Sequence, residues 1–106
     1  MVAEASWKRH ERQVARLLAG ERQPNTGRRG ADVLTARWAI EVKARRELPR
    51  WLLKALSQAE GSARATGRLP LLVLVHAPGR GRKVRCYALL PLQDLTSLVD
   101  TRGGPT

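Results

Sequence analysis

Two short apolar runs constrain the fold of this chain most strongly, because Ala36-Arg37 between them is short enough for a hairpin loop. The first run begins in the motif at residues 30–33 and continues to the loop, and the second run covers residues 38–43. The first carries Asp32, and the second carries Glu41 and Lys43. A two-residue loop sets an antiparallel register that places Asp32 beside Glu41, and the alternation of side chains in a strand puts Glu41 and Lys43 on one face. The sequence therefore predicts two carboxylates and an ammonium group on one patch of a sheet.

This trio is suited to hydrolysis of phosphodiester bonds. Two close carboxylates repel each other unless a cation lies between them. Their hard oxygens suit Mg²⁺ or Mn²⁺, and the neighbouring sequence offers no set of cysteines and histidines for zinc. A lysine beside the metal can activate water or offset the charge that builds up on a phosphate. A second interpretation stays open, in which Glu41 and Lys43 form a surface pair on a solvated strand and Asp32 is a turn residue.

The charge balance points to a polyanionic partner. The chain has 20 lysines and arginines against 9 acidic residues, a formal net charge of +11 and a sequence pI of about 11.5. Most of this charge is arginine, whose planar guanidinium binds phosphate in a bidentate manner, so we expect a nucleic acid. An acidic protein stays an alternative. A membrane surface is not favoured, because the sequence has no basic amphipathic helix with bulky apolar anchors. With three Trp, one Tyr and no Phe, the chain lacks the aromatic residues of a base-stacking single-strand binder.

Length and composition predict one small domain over residues 1–100 and a flexible tail over residues 101–106. The lone Cys86 cannot form an internal disulfide, and its place in a predicted strand suggests a buried thiol in a reducing compartment. The chain has no apolar run of membrane-spanning length and no signal-peptide pattern near its start. We therefore expect a cytoplasmic protein.

Residues 4–18 are predicted to form an amphipathic helix that stops at Gly20. Its apolar stripe consists of Trp7, Val14 and Leu18. Glu11 lies along this stripe, where an unpaired carboxylate would be costly to bury, so it needs a cation. Two interpretations stay open: Glu11 is a metal ligand, or it pairs with a neighbouring arginine at the edge of the core.

Residues 21–30 have the composition of a loop, with one proline, two glycines and three arginines. Glycines allow backbone N–H groups to approach phosphates closely. Because this segment directly precedes Asp32, we interpret it as a clamp on a nucleic-acid backbone. An ordinary solvated loop is the alternative.

The rest of the chain is predicted to alternate between helices and strands. The predicted elements are a helix over residues 49–65, a strand over 69–75 that is buried on both sides, a basic turn over 78–83, a strand over 84–90 and a helix over 93–99. The buried face of the first of these helices consists of Leu52, Leu56, Ala59 and Ala63. The predicted order is α-β-β-α-β-β-α, with room for one more short strand near the first hairpin.

A helix with a glutamate, Gly-Ala-Asp-Val at residues 30–33, Ile-Glu-Val-Lys at residues 40–43, a second helix and an apolar strand follow one another up to about residue 90. This order resembles the PD-(D/E)XK nuclease superfamily and, within it, the small archaeal-type Holliday junction resolvases that phages and viruses also carry. The resemblance implies an α/β, restriction-endonuclease-like three-layer fold with a central mixed sheet flanked by helices. It implies an Mg²⁺-dependent homodimer, with Mn²⁺ as a substitute, that cuts four-way DNA junctions. The expected location is the nucleoid of a bacterial, archaeal or phage-infected cell.

The resemblance also implies a role for each matching residue. Asp32 and Glu41 would bind Mg²⁺, with Glu11 completing the site and the carbonyl of Val42 helping. Lys43 would be catalytic. The motif departs from the family at one position, because an alanine stands where the family has its name-giving proline, a position that is tolerant in these enzymes.

Further roles concern the substrate. Thr26 stands near the position where resolvases often place a catalytic serine, so the resemblance implies a catalytic role for it. The implied DNA-binding residues are Arg9, Asn25, Thr26, Arg28, Arg29, Arg45 and Arg46. Gln58 would support the site, although a surface amide is the default. Two other functions stay open: a nicking, repair or restriction nuclease of the same fold, or a non-enzymatic basic protein that binds DNA or RNA.

Overall fold

The structure, a computed structural model, describes residues 6–24 and 30–98. Within them the chain is a small α/β protein with three helices and two antiparallel sheets. In chain order the elements are α1 (Ser6–Leu17), β1 (Glu21–Arg22), β2 (Val33–Leu34), β3 (Ala39–Ile40), α2 (Arg50–Thr66), β4 (Leu72–His76), β5 (Arg85–Leu89) and α3 (Leu92–Leu98). They divide into two compact units, the first within Met1–Arg46 and the second formed by Glu47–Leu98. No helix in these residues is long and apolar enough to cross a membrane.

The first unit contains a three-stranded sheet in the order β1-β2-β3, with both pairings antiparallel. Val33 lies opposite Ile40 in one pairing and opposite Arg22 in the other. The N–H of Thr35 donates to the carbonyl of Trp38 at 2.9 Å, which closes a two-residue loop. The predicted hairpin is therefore confirmed, and β1 is the additional short strand for which the predicted order left room.

The hydroxyl of Thr35 stabilises this loop from inside. Its Oγ1 accepts the N–H of Arg37 at 3.1 Å and that of Trp38 at 2.8 Å. A threonine side chain that bonds to the backbone two or three residues later favours a turn over a continued strand. The local sequence therefore sets the register that positions the candidate site.

Val33 is the centre of the first unit's core. It is 0% exposed, and Ala15 and Leu18, at the end of α1, are each 8% exposed. The turn after α1 packs closely on β2, because a Cβ at Gly20 would lie only 2.8 Å from the carbonyl oxygen of Leu34. Only glycine permits so close an approach of the two backbones.

A Schellman motif built on alanine ends α1. The N–H of Gly20 donates to the carbonyl of Ala15 at 2.8 Å, and Ala19 has a φ of 54°, in the left-handed region. The predicted stop at Gly20 is therefore displaced by one residue. Ala19 adopts the left-handed conformation, and Gly20 is required for packing.

In the second unit, α2 begins after Pro49 and ends at Gly67. The carbonyl of Pro49 accepts the N–H groups of Leu52 and Leu53, both at 3.1 Å, and Gly67 takes the left-handed conformation with a φ of 64°. The predicted helix is confirmed to within one residue at each end. Its predicted inner face is also confirmed, since Leu52, Leu56 and Ala59 are half-buried and Ala63 is buried.

β4 and β5 form an antiparallel hairpin, in which Val75 lies opposite Cys86. Val73 and Val75 are 51% and 60% exposed, so the prediction of a strand buried on both sides is wrong. The thiol of Cys86 is exposed as well, so the predicted buried thiol is also wrong. The physical reason is shared: in a two-stranded sheet that contacts α2 at β4, one helix covers only one face.

The order of elements is the predicted one, and α1, β5 and α3 lie within one or two residues of their predicted bounds. Every strand pairing in the described residues is antiparallel, and the strands form two sheets rather than one mixed sheet. The single domain over residues 1–100 stays a prediction. The predicted start of the first helix at residue 4 and the tail over 101–106 lie outside the described residues.

Candidate functional site

A β-bulge at Asp32 interrupts the first sheet beside the predicted site. The N–H of Asp32 donates to the carbonyl of Ile40 at 2.8 Å, although Ile40 already faces Val33 in the ladder. Two consecutive residues therefore face one residue of the partner strand, which is the pattern of a bulge. On the other side, the carbonyl of Asp32 accepts the N–H of Gln23 at 2.8 Å. The backbone of Asp32 is thus fixed from both neighbouring segments.

The bulge directs the side chain of Asp32 toward the segment after β3. Its Oδ2 accepts the N–H of Val42 at 2.8 Å, and the residue is half-buried. Val42 stands between Glu41 and Lys43, so the carboxylate of Asp32 lies at the backbone of this segment, but the predicted pairing of Asp32 with Glu41 is wrong. A ladder without the bulge would place Asp32 directly opposite Glu41, as the sequence predicted, whereas the bulge places it opposite Ile40.

Glu41 and Lys43 lie beyond the last paired residue of β3 and are largely exposed. Lys43 Nζ lies 3.7 Å from Glu41 Oε2, and the two side chains are 71% and 60% exposed. The prediction of a strand that reaches Lys43 is wrong, because pairing ends at the bulge and the N–H of Val42 bonds to a side chain instead. An exposed ion pair of this kind contributes little to stability, so both groups can turn to a ligand at small cost.

Glu11 is buried and forms an ion pair with Arg22. Glu11 is 7% exposed, and the Nε of Arg22 donates to its Oε1 at 2.8 Å. The guanidinium of Arg22 also lies 5.6 Å from the centroid of the Trp7 ring, one helical turn before Glu11. Of the two interpretations that the sequence left open, the structure shows the arginine partner.

The carboxylates available for a metal ion are those of Asp32 and Glu41. The described residues contain no group of three or more acidic, histidine or cysteine side chains arranged to hold a metal, and Glu11 is engaged by Arg22. Two carboxylates still fit Mg²⁺, which often takes one or two from the protein and completes its coordination with water and substrate phosphates. Within the described part of the chain Asp32 accepts a hydrogen bond through Oδ2, from Val42, and none through Oδ1.

An open depression on the surface of the first unit is lined mainly by basic side chains of α1. Its lining residues are Arg9, His10, Arg12, Gln13, Ala15, Arg16 and Arg22. Concentrated positive charge in a concave surface attracts phosphate groups. Arg9 was predicted to bind DNA, whereas the other members of this surface were missed. The spacing of Arg9, Arg12 and Arg16, at three and four residues, is the signal that would have found it.

Other predicted DNA contacts have separate outcomes. Arg45 and Arg46 are exposed after β3, and Nη1 of Arg45 donates to the carbonyl of Ala44 at 2.9 Å. The other four predicted contacts, Asn25, Thr26, Arg28 and Arg29, lie outside the described residues, so the clamp and the catalytic role of Thr26 stay predictions. Gln58 is exposed on α2 in the second unit, as expected for a surface amide.

Arg22 also has a structural role that sequence reasoning missed. The composition of residues 21–30 predicts a loop, whereas Arg22 belongs to β1 and lies opposite Val33. The sequence contained a signal for this role. A buried Glu11 needs a cation, and Arg22 is the first arginine after α1.

No family model matches the chain, and neither the curated proteins nor the solved structures contain a match. Any functional conclusion therefore rests on the residues and geometry of the site.

Proposed function

We propose that this protein is a metal-dependent DNA endonuclease that acts as a Holliday junction resolvase. The observation that carries the proposal is the position of Asp32, whose carboxylate is held at the backbone of Val42 between Glu41 and Lys43. This arrangement brings two acidic residues and a lysine onto adjoining segments. The net charge of +11 supplies the attraction for DNA.

Asp32 and Glu41 are the residues that would hold Mg²⁺, or Mn²⁺ in its place. When bound, the cation supplies Lewis-acid stabilisation of a phosphate and lowers the pKa of water. Glu11 would bind the cation as well only if its ion pair with Arg22 were broken. The N–H of Val42 positions Asp32, and its carbonyl is the further oxygen that the family resemblance implies.

Lys43 acts on the scissile phosphate. Among the described residues its ammonium group pairs with the exposed Glu41, so it can turn toward a phosphate and offset the negative charge that develops there, or orient the attacking water. Exposed arginines such as Arg9, Arg45 and Arg46 bind the flanking phosphates. The products carry 5′-phosphate ends, as in the family that the sequence resembles.

Assembly is part of the proposal. Paired incisions across a four-way junction need two active sites, so the protein acts as a homodimer with two-fold symmetry. We propose that its helices and strands adopt the restriction-endonuclease-like three-layer arrangement, and that it acts on DNA in the cytoplasm.

The test is cleavage of a labelled four-way junction by wild type and Asp32→Asn, each with and without Mg²⁺. Asp94→Asn is the matched control, because it makes the same chemical change on α3 of the second unit. Wild type and Asp94→Asn should cut only with Mg²⁺, and Asp32→Asn should lose at least about 100-fold in rate, since the group that it removes is a proposed metal ligand. Circular dichroism checks that all three are folded.

Cleavage by Asp32→Asn at the wild-type rate would contradict the proposal, as would cleavage that does not depend on a divalent cation. A panel of junctions, flaps and linear duplex tests the substrate class. If linear duplex is cut at the same rate as four-way junctions, the protein is a nicking, repair or restriction nuclease and not a resolvase.

Two observations favour a second candidate, a non-enzymatic basic protein that binds nucleic acid. The charge of Glu11 is already balanced by Arg22, and the described residues lack a three-ligand metal cluster. In that case Glu41→Gln should bind DNA or RNA as Glu47→Gln does, since both residues are exposed. Mg²⁺ should then change neither variant's behaviour.

A further inference from the structure

A narrow turn extends the hairpin of the second unit beyond the last paired residues of β4 and β5. The N–H of Arg82 donates to the carbonyl of Gly79 at 3.1 Å, in the same register as the β4–β5 ladder. Arg80 and Gly81, at the tip, have φ values of 52° and 74°. Positive φ at both central residues is the pattern of a type I′ turn, and Gly79, which precedes them, also has a positive φ of 85°. The ladder itself ends at His76 and Arg85, and residues 77–84 form the connection that this turn closes.

The end of this hairpin, residues 78–85, is called the basic arm. Its cationic side chains are Arg80, Arg82, Lys83 and Arg85. Every residue from 75 to 88 is exposed. Between Glu60 and Asp94 the sequence contains no acidic residue, so no carboxylate within the hairpin neutralises the arm. Its charge is therefore available to a partner.

Arg80 occupies a position of the turn that suits glycine, asparagine or aspartate. With a φ of 52° its Cβ crowds the following carbonyl, so an arginine there costs folding free energy. A strained residue at an exposed tip points to a role for its side chain outside the fold. The guanidinium at the tip is the group that such a role would use.

We propose that the basic arm enters a groove of B-form duplex DNA and binds phosphates on both walls. The major groove, about 12 Å wide, admits a two-stranded ribbon, whereas that of an A-form RNA helix is too narrow for side chains to read. Arg82 and Lys83 lie between the turn and β5, and both are exposed, so the hairpin end carries two adjacent cations for phosphates. The guanidinium of Arg85 lies 5.2 Å from the centroid of the Tyr87 ring, which orders it before binding.

This inference rests on the proposed DNA partner and not on the proposed cleavage. Fluorescence anisotropy with a labelled linear duplex in EDTA therefore tests it, because no metal-dependent cutting occurs. The variant is Arg82→Ala/Lys83→Ala, and the matched control is Arg64→Ala/Arg68→Ala, which removes the same charge from exposed positions on α2 and just after it.

The arm variant should lose about ten-fold or more in affinity, and its slope of log K against log salt should shrink by roughly 0.9 for each lost phosphate contact. The control should lose much less, because its residues act only through long-range charge. Equal losses in the two variants overturn the inference. Binding through the arm that is tighter for duplex RNA than for duplex DNA overturns it as well.

Arg80→Gly provides a second measurement with two opposite effects. Removing the left-handed arginine should raise the urea midpoint, while the affinity for duplex DNA should fall several-fold. Arg80→Lys keeps the charge, so it should keep most of the affinity. If Arg80→Gly binds duplex DNA with undiminished affinity, Arg80 does not contact the DNA, and its backbone strain does not serve binding.

The outcomes separate this inference from the proposed function. Wild type that binds duplex through the arm but does not cut junctions keeps the inference and ends the nuclease proposal. If the wild type cuts junctions and the arm variant binds duplex normally, the nuclease proposal stands and the inference about the arm is overturned. Absence of any DNA binding overturns both.

Discussion

Buried and exposed charges in the first unit have opposite energetic roles. Glu11 is 7% exposed and depends on Arg22 for its countercharge. Glu41 and Lys43 are mostly exposed and lie 3.7 Å apart. Water solvates the second pair whether or not it is formed, whereas the first has no substitute for its partner. Removing one partner of the buried pair is therefore costly to the fold, whereas the exposed pair is available for chemistry.

Arg22→Met should lower the free energy of unfolding by about 3 kcal/mol, because it leaves the carboxylate of Glu11 buried without a cation. Lys43→Met, which removes the same kind of group from the exposed pair, should cost under about 1 kcal/mol. Urea denaturation measures both. Adding Glu11→Gln to Arg22→Met should recover part of the loss. Equal destabilisation by the two single variants would show that the buried pair does not have this role.

Lys43→Gln should reduce the rate of junction cleavage by roughly 10²–10⁴-fold, the range for a positioned acid–base group. DNA affinity should change little, since the chain has 20 basic residues. Single-turnover cleavage and anisotropy separate the two effects, with Lys54→Gln, exposed on α2, as the control. A parallel loss of affinity and rate would instead make Lys43 a binding residue.

At the scale of elements, the end of α1 determines how the helix meets the sheet. Ala19 supplies the left-handed residue of the Schellman motif, and Gly20 approaches the backbone of β2. Each position therefore has its own requirement. Position 19 needs a residue that adopts a positive φ, and position 20 needs a residue without a Cβ, because the backbone of β2 lies so close.

Ala19→Gly should therefore stabilise the protein by about 1 kcal/mol, because glycine reaches the left-handed region without steric cost. Gly20→Ala should destabilise it by about 1–3 kcal/mol, since the added Cβ would lie 2.7 Å from Cγ2 of Thr35 and 2.8 Å from the carbonyl oxygen of Leu34. Urea midpoints at constant m-value measure both changes. Tolerance of Gly20→Ala would mean that α1 can move away from β2.

At the scale of the whole molecule, the charge of +11 dominates any encounter with a polyanion. This charge is concentrated in the basic depression on α1 of the first unit and in the basic arm of the second unit. Each phosphate that a basic group neutralises releases condensed counterions. Affinity should therefore depend steeply on salt.

If about six to eight phosphates are contacted, log K should fall with log salt with a slope of roughly −5 to −7. Anisotropy titrations of the wild type in EDTA over a range of salt concentrations measure this slope. A slope near zero would exclude binding driven by phosphate contacts, and with it the expected class of partner.

Local sequence was sufficient for much of the architecture. Pro49 and Gly67 bound α2 because their backbone conformations are set by the residues themselves. The hairpin around Ala36-Arg37 was predictable because Thr35 stabilises the turn from within four residues. The partner class followed from composition alone, and stays a prediction.

Tertiary structure decided the features that make the candidate site. The bulge at Asp32 depends on hydrogen bonds to Ile40 and Gln23, and the burial of Glu11 depends on Arg22. The exposure of Cys86 depends on which face of a two-stranded sheet a helix covers. Propensity and periodicity describe a residue with its near neighbours in the chain. These features arise from groups that are distant in the chain and meet only when the sheet and helix have packed, so their geometry became visible in the folded structure alone.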